Sequence, residues 1–472
     1  MSQPGMVWAL VAFALGAAAL WLSWRRPTVL FLLALAALAI RPQAWFGGPK
    51  VGLGWGFHQT LLLAALLVNA ARYGVRRSIN WPVLALAVVY ALNLAFAELD
   101  PKVDPLLMLS GFGVLALPWT FTQVVLAPGS RRVCAITISV LPILSVAIGA
   151  VAAALDMQPF FRLRLTGATG NAAVFALLAF TGFAVALHES TRRGRPLLGV
   201  VAAVNLALVV FSGTRMAIFA GGLFLLAYMV ASPNLVVRWR ERWIQLAVGA
   251  GLLLAAGLYY WPTLVWRMFE PGGQGFRMSS RVDLWSFYYD RFLMSPVFGR
   301  GLGDGFVGAL HWLRYDVPAP HNEYLHLLVV GGVVGAVACF AAIALWCRQL
   351  WRKVATNDRS FLLALLPALA AYAVTDNVLI YATGLALFAY LGVLLTRPAP
   401  GLAEPHRRRR SRTSAAADEQ TRSDGDATNR RASALLAVQH KRGYVAPAGR
   451  LYGGPADAAQ NARGSRARCA GL

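Results

Sequence analysis

Pro320-His321-Asn322-Glu323-Tyr324-Leu325-His326-Leu327-Leu328, continuing to Gly331, Gly332 and Gly335, sets a polar His-Asn pair at the mouth of a long apolar run. That run, 324–347, is long enough to cross a bilayer hydrocarbon core of ~30 Å as a helix. Just upstream, roughly 262–320, lies the longest polar interval in a greasy chain. A polar head on a membrane helix, fed by one long loop, is a natural place for chemistry. The remaining sequence reads as scaffold for this loop, or as arginines placed to face it.

The composition agrees. Of 472 residues, 58% are hydrophobic and 14% charged, whereas soluble domains run at about 45–50% and about 25%. The excess is concentrated in thirteen apolar runs: 6–24, 28–46, 57–73, 79–97, 105–126, 133–155, 171–188, 196–212, 216–231, 244–262, 324–347, 361–376 and 378–396. They predict an all-α fold, a polytopic transmembrane helical bundle of 12–13 spans. The run at 28–46 carries Arg41 and Pro42, and only Asp376-Asn377 separates the last two, so these two can form one broken helix. The first run has neither a basic segment before it nor a small-residue cleavage site, and reads as an anchor rather than a removable signal. Cys134, Cys339 and Cys347 lie in or beside apolar runs and Cys469 near the end of the chain, which is no disulfide framework.

Charge orients the bundle. Alternate connections carry Arg25-Arg26; Arg72, Arg76 and Arg77; Arg131-Arg132; Arg192, Arg193 and Arg195; Arg238, Arg240 and Arg242; and Arg348, Arg352, Lys353 and Arg359. The short loops between them hold Glu98, Asp100, Asp104 and Asp156 instead. Lysine and arginine in short loops mark the cytoplasmic side, so the loop at about 262–323 is expected outside.

Residues 1–396 form the expected membrane domain, and 397–472 a disordered basic cytoplasmic tail. The tail holds 15 Lys+Arg against 6 acids and has no apolar periodicity. It cannot bury enough apolar surface to fold, and its charge suits anionic lipid headgroups. With few aromatic residues for stacking, it does not read as a nucleic-acid binder.

Four patches can carry chemistry. In Ser212-Gly213-Thr214-Arg215 an arginine opens an apolar run; it either snorkels to lipid phosphate or faces a cavity and holds an anion. Arg162-Leu163-Arg164-Leu165-Thr166-Gly167-Ala168-Thr169-Gly170-Asn171 ends where another helix begins. The N–H groups of that helix start favour phosphate, and arginine's planar fork suits phosphate oxygens. An ordinary polar loop is the alternative. Within the long loop, Ser279–Met294 reads as an amphipathic helix with Arg281 and Trp285 one turn apart, followed by Pro296 and the turn Gly299-Arg300-Gly301. The turn is expected to be flexible. The aromatics suit sugar faces or core packing equally. His321 can exchange a proton near neutral pH, although a lone histidine at a helix start is usually a cap. No His/Cys/carboxylate grouping has zinc spacing.

Together these motifs resemble the O-antigen ligase and polymerase superfamily of bacterial membrane glycosyltransferases. The resemblance rests on His-Asn-x-x-Leu with Gly-x-x-Gly (His321, Asn322, Leu325, Gly332, Gly335), and on Arg-x-x-x-Trp with Pro-x-x-Gly-x-Gly (Arg281, Trp285, Pro296, Gly299, Gly301). Ser-x-x-Arg (Ser212, Arg215) and Gly-x-x-x-Asn (Gly167, Asn171) complete it. It spans about 60–396. Val330 departs from it, since many members carry an acid there.

The resemblance implies a multi-pass protein of the bacterial inner membrane, working at the periplasmic face as an inverting glycosyltransferase without metal or nucleotide cofactor. The donor it implies is a glycan on undecaprenyl pyrophosphate. The acceptor is lipid A–core, a growing glycan or a protein hydroxyl, for ligase, polymerase and protein O-oligosaccharyltransferase activity respectively. His321 and Arg215 would be catalytic, with Arg281, Arg164, Asn322 and Asn171 binding substrate, and Asn322 holding His321 or the donor. A lipid-linked glycan flippase would share the helices and arginines, but should show paired broken helices in two halves, and no such repeat is evident.

Overall fold

A computed structural model describes residues 21, 24–40, 51–76, 117, 119–127, 129–155, 164–232, 279–301, 320–376, 378 and 383–395, with backbone alone at 51–57 and 279–283. The runs at 79–97 and 244–262, most of 6–24 and of 105–126, residues 262–278 and 302–319 of the long loop, and the tail lie outside the described residues. The chain divides into two units, Met1–Pro398 and Ala399–Leu472, and all the described residues belong to the first.

That unit is a polytopic helical bundle. Its helices are α1 (Pro27–Ala36), α2 (Val51–Tyr73), α3 (Ser130–Ala154), α4 (Ala172–Arg193), α5 (Pro196–Phe211), α6 (Arg215–Ala231), α7 (Ser279–Met294), α8 (Glu323–Lys353), α9 (Thr356–Ala373) and α10 (Gly384–Leu394). No sheet occurs among the described residues; one isolated bridge joins Val75 and Val124. Helices α3, α4 and α8 are long and apolar enough to cross a membrane. At 1.5 Å per residue the shortest of them, α4, is about 33 Å long.

Helix α4 is the axis. It is apolar all round, and from Phe175 to Ala186 every residue is buried, as expected of a helix enclosed by others. Gly182 allows the closest approach: a Cβ there would sit 2.8 Å from Pro142 Cγ on α3 and 2.9 Å from Asn205 Nδ2 on α5. Asn205, buried in lipid-depth surroundings, donates to Ser139 O at 2.8 Å. Outward faces stay apolar: Val140 and Val151 on α3, Leu226 and Val230 on α6, Val333, Val334 and Val337 on α8 are all exposed. With no water in the hydrocarbon core, such a surface meets lipid.

Two expected elements differ. Among the described residues, the run at 378–396 contains the eleven-residue α10, which is buried throughout. At about 16 Å it cannot span a bilayer by itself; it is a core helix packed on α3 and α4. Helix α9 ends at Ala373, so the last two runs are separate helices. Helix α8 begins at Glu323 and is broken at Gly332, whose φ of 61° and ψ of −167° are non-helical.

Polar residues collect at the two ends. One end gathers the start of α3, the end of α4 and the start of α9, where Arg131 meets Glu189 at 3.1 Å and Asp358 at 2.6 Å. These are arginine-rich connections. The opposite end gathers the starts of α4, α6, α8 and α10 with the end of α9.

Candidate functional site

The first turn of α4 is the hub of that second end. Its backbone carbonyls accept three hydrogen bonds from neighbouring elements. Thr214 Oγ1 donates to Ala172 O at 3.3 Å, Tyr372 to Ala173 O at 3.4 Å, and Thr383 Oγ1 to Val174 O at 3.2 Å. The residue next to Thr214 is Arg215, and four residues beyond Tyr372 is Asp376. Large sequence separations therefore close onto one turn of helix.

Asn171 caps that turn. Its Oδ1 accepts from Ala173 N at 2.9 Å and Val174 N at 3.3 Å, satisfying donors a helix start would otherwise leave unmade. Arg164 reaches back over the α5–α6 turn. Its Nε donates to Ser212 O at 2.9 Å and its terminal nitrogen to Thr214 Oγ1 at 2.6 Å, while Leu165 N donates to Phe211 O at 3.1 Å. Gly213, at φ 60°, makes the turn that passes under the Arg164 side chain. Arg215 is the first residue of α6 and is exposed.

His321 sits two residues before the start of α8 with φ 49°, the one non-glycine with positive φ among the described residues. Histidine tolerates this region better than most residues. Its Nδ1 lies 3.1 Å from Asp376 Oδ1, with the histidine side chain 21% exposed and the aspartate 0%. The Oδ1 of Asn322 accepts from Leu325 N at 3.0 Å, which makes it the N-cap of α8. Asp376 is a partner of the imidazole.

Two further bonds clip α8 to the same segment. Tyr324 donates to Ala370 O at 2.9 Å, and Val378 N donates to Glu323 Oε2 at 3.1 Å. Glu323 is buried, and its other oxygen lies 3.5 Å from His326 Nδ1. Neither Asp376 nor Glu323 was singled out by sequence reasoning. The available signal was the polar break Asp376-Asn377 between two apolar runs.

The loop helix α7 has the expected bounds and packs Leu284 and Tyr288 against Leu325 and Val329 of α8. Trp285 Nε1 donates to Pro320 O at 2.8 Å, so α7 fixes the backbone immediately before His321. Arg281 occupies the preceding turn of α7; its side chain lies outside the described residues.

The glycine turn after α7 is docked rather than loose. Arg300 N donates to Val329 O at 2.8 Å and Gly301 N to Val330 O at 3.0 Å, and Val333 N and Val334 N return bonds to Pro296 O at 2.8 Å and Val297 O at 3.1 Å. These bonds satisfy the backbone groups that opening α8 at Gly332 exposes. A Cβ on Gly299 would run into Gly332 N and Val330 O, and one on Gly332 into Val297 O. The two glycine motifs are the two halves of one backbone joint.

Of the predicted site residues, Arg164, Arg215, Asn171, His321 and Asn322 thus lie at one end of the bundle. Three or more His, Cys, Asp or Glu side chains placed to hold a metal do not occur among the described residues. Arg215 at the exposed start of α6, Arg164 bonded to the turn before it and a carboxylate-held imidazole share this end, and such groups are suited to holding an anion and moving a proton.

A family model described as O-Antigen ligase matches residues 198–341. That stretch includes Arg215, Arg281, His321 and Asn322, and stops short of Asp376. No curated protein matches the chain.

Proposed function

We propose that the chain is an O-antigen ligase-like, metal-independent inverting glycosyltransferase of the bacterial inner membrane. It moves a glycan from undecaprenyl pyrophosphate to an acceptor hydroxyl at the periplasmic face. The acceptor is lipid A–core, a growing glycan or a protein hydroxyl. The observation that carries the reading is the contact of His321, at the head of α8 and inside the segment that matches the ligase family, with the carboxylate of Asp376 beyond that segment.

The roles follow from the geometry. With Nδ1–H directed at Asp376, the basic lone pair of His321 is on Nε2, the tautomer that a carboxylate partner favours. Nε2 takes the proton of the acceptor hydroxyl as its oxygen attacks the anomeric carbon. The bond from that carbon to the pyrophosphate oxygen breaks on the opposite face, and undecaprenyl pyrophosphate departs with the electron pair. Arg215, with Arg164 beside it and Arg281 on α7, stabilises the departing charge through charge-assisted bonds. A left-handed histidine backbone is the kind of local cost that functional sites carry. The periplasmic assignment is supported by the arginine-rich connections gathering at the far end of the bundle.

The test is transfer by the purified full-length protein in proteoliposomes, with donor binding measured separately. His321→Ala should abolish transfer and leave donor binding largely intact, because the base acts on the acceptor. Arg215→Ala should weaken donor binding, and Arg215→Lys should fail nearly as badly, since a point charge cannot replace a bidentate fork. Full transfer by folded His321→Ala protein would remove the proposed base.

A further inference from the structure

The arginine-rich end holds a cavity of about 310 Å³ between the end of α4, the end of α6 and the start of α9. It lies at the opposite end from His321, and nothing in the proposed transfer uses it. Arg192, Ser232, Thr356, Arg359 and Ser360 are among the residues that line it, and among the described residues no carboxylate does. The nearby acids are already engaged behind it. Glu189 meets Arg131, Arg192 and Arg193, and Asp358 meets Arg131 and His188. Adding Arg359, four guanidiniums face two carboxylates, so the region keeps positive charge.

Arg359 is the informative side chain. Its guanidinium lies over the Trp351 ring, 5.4 Å from the centroid, and its Nε is buried without a hydrogen-bond partner among the described residues. A buried charged donor left unmade is costly, and an anion oxygen in the cavity would remove that cost. The start of α9 adds backbone N–H groups with no side-chain cap. The cavity also has an apolar edge. Leu363 lines it and is 53% exposed, and Val230, one residue before the lining residue Ala231, is 79% exposed.

We infer that this cavity binds a phosphate group, with Arg359 and Arg192 as its cationic ligands and the hydroxyls of Ser360, Thr356 and Ser232 completing the shell. The apolar edge favours a phosphate carried by an anionic lipid, its acyl chains lying along Leu363 and Val230. A soluble phosphate would use the same polar groups without that edge.

The experiment uses the full-length protein in detergent with phosphatidylglycerol, phosphatidylcholine or inorganic phosphate as probes. Lipid retention is read by native mass spectrometry and phosphate binding by thermal shift. Retention of phosphatidylglycerol over phosphatidylcholine is expected, with Arg359→Gln losing about tenfold, the effect of one hydrogen bond to a charged group. Arg359→Lys should recover part of it. Arg352→Gln, which removes an exposed charge at the same end outside the cavity, should change little. Stabilisation of the unmodified protein by inorganic phosphate but not by phosphatidylglycerol, lost in Arg359→Gln, would uphold the phosphate site and assign it a soluble ligand. Equal binding of every probe by the unmodified and Arg359→Gln proteins would overturn the proposal, as would an equal loss from Arg352→Gln. Should Arg359→Gln not fold, Ser360→Ala carries the same comparison with a loss of about threefold.

Discussion

The bundle contains the same pair twice. At one end His321 Nδ1 lies 3.1 Å from Asp376, and at the other His188 Nε2 lies 3.0 Å from Asp358. The surroundings separate them. His188 is fully buried, its second nitrogen 2.9 Å from the Tyr228 hydroxyl, and Asp358 is gripped by two nitrogens of Arg131 at 2.9 and 2.6 Å. Its neighbour Glu189 accepts from Tyr390 at 2.9 Å as well as from arginines. Every strong acceptor there serves to join α3, α4, α6, α9 and α10. The His321 side chain is instead 21% exposed, at the end of the bundle that also holds Arg164 and Arg215. An identical His–Asp contact is a staple where it is sealed among its own counter-charges, and a site where the imidazole can meet a substrate.

The sharpest way to break this comparison is to remove each imidazole. His321→Ala should lower the transfer rate by about 10²–10⁴-fold, the range of general-base contributions, with the melting temperature nearly unchanged. His188→Ala should do the reverse, lowering the melting temperature while the folded fraction keeps transfer within a few-fold. Transfer rates normalised to folded protein decide it. Loss of chemistry in well-folded His188→Ala would erase the distinction.

Next is the staple. Arg131→Met leaves Asp358 and Glu189 short of a cation, and breaking a buried pair in this way costs about 3–5 kcal/mol. Arg131→Met with Asp358→Leu should recover much of that stability, because an apolar replacement of both partners avoids the unpaired charge. Thermal unfolding in one detergent measures both. A double variant no better than the single one would mean that Arg131 works mainly through Glu189.

These contrasts also show what was legible in the sequence. Helix α7 was, because aromatic residues at helical spacing sit between polar ones over Ser279–Met294, and so was the start of α8, where a polar pair gives way to an apolar run. The charged connections were legible as one set, and the structure gathers Arg131, Arg192 and Arg193 around Glu189. Partnerships were not. Asp376 is 55 residues from His321 and Asp358 is 227 from Arg131, and no local period links such pairs. Asn322 and Asn171 read as ligand contacts, and their part as helix caps, which both oxygens play, was not read from the sequence. The glycines after Pro296 suggested flexibility because glycine permits it. What glycine permits here is backbone against backbone, and that needed the position of Gly332 to be seen.

That joint gives an intermediate effect. Gly332→Ala places a Cβ against Val297 O at a backbone φ of 61° and ψ of −167°, and this glycine-only conformation alone costs another residue about 1–3 kcal/mol. Helix α7 should then come away from α8, and the segment carrying Trp285 should become sensitive to limited proteolysis. Transfer should fall about tenfold or more, because Trp285 no longer fixes Pro320. Gly335→Ala is the control, since a Cβ there meets nothing within 4 Å. Equal proteolysis of the two variants would show that the joint does not hold the loop.

The smallest effect tests whether the His321 end has a support of its own, as the other end does. Glu323 is buried, and its Oε2 accepts from Val378 N at 3.1 Å, two residues from Asp376. It therefore pins the segment whose carboxylate holds His321, without itself touching the imidazole. Glu323→Gln keeps an oxygen acceptor at the same place and removes the charge that strengthens the bond. Exchanging a charge-assisted bond for a neutral one costs about 1 kcal/mol, so transfer should fall about fivefold. The loss should be in kcat, with donor affinity unchanged, because Arg164 and Arg215 are held at the α5–α6 turn and Arg281 by α7 rather than by this segment. Glu323→Ala removes the acceptor altogether and should cost distinctly more, whereas Asp376→Asn should approach the loss seen for His321→Ala. If Glu323→Gln and Glu323→Ala are both as active as the unmodified protein, the Glu323–Val378 bond does not support the Asp376 carboxylate. If Glu323→Gln is as inactive as Asp376→Asn, Glu323 is a second member of the proton-handling pair rather than its support.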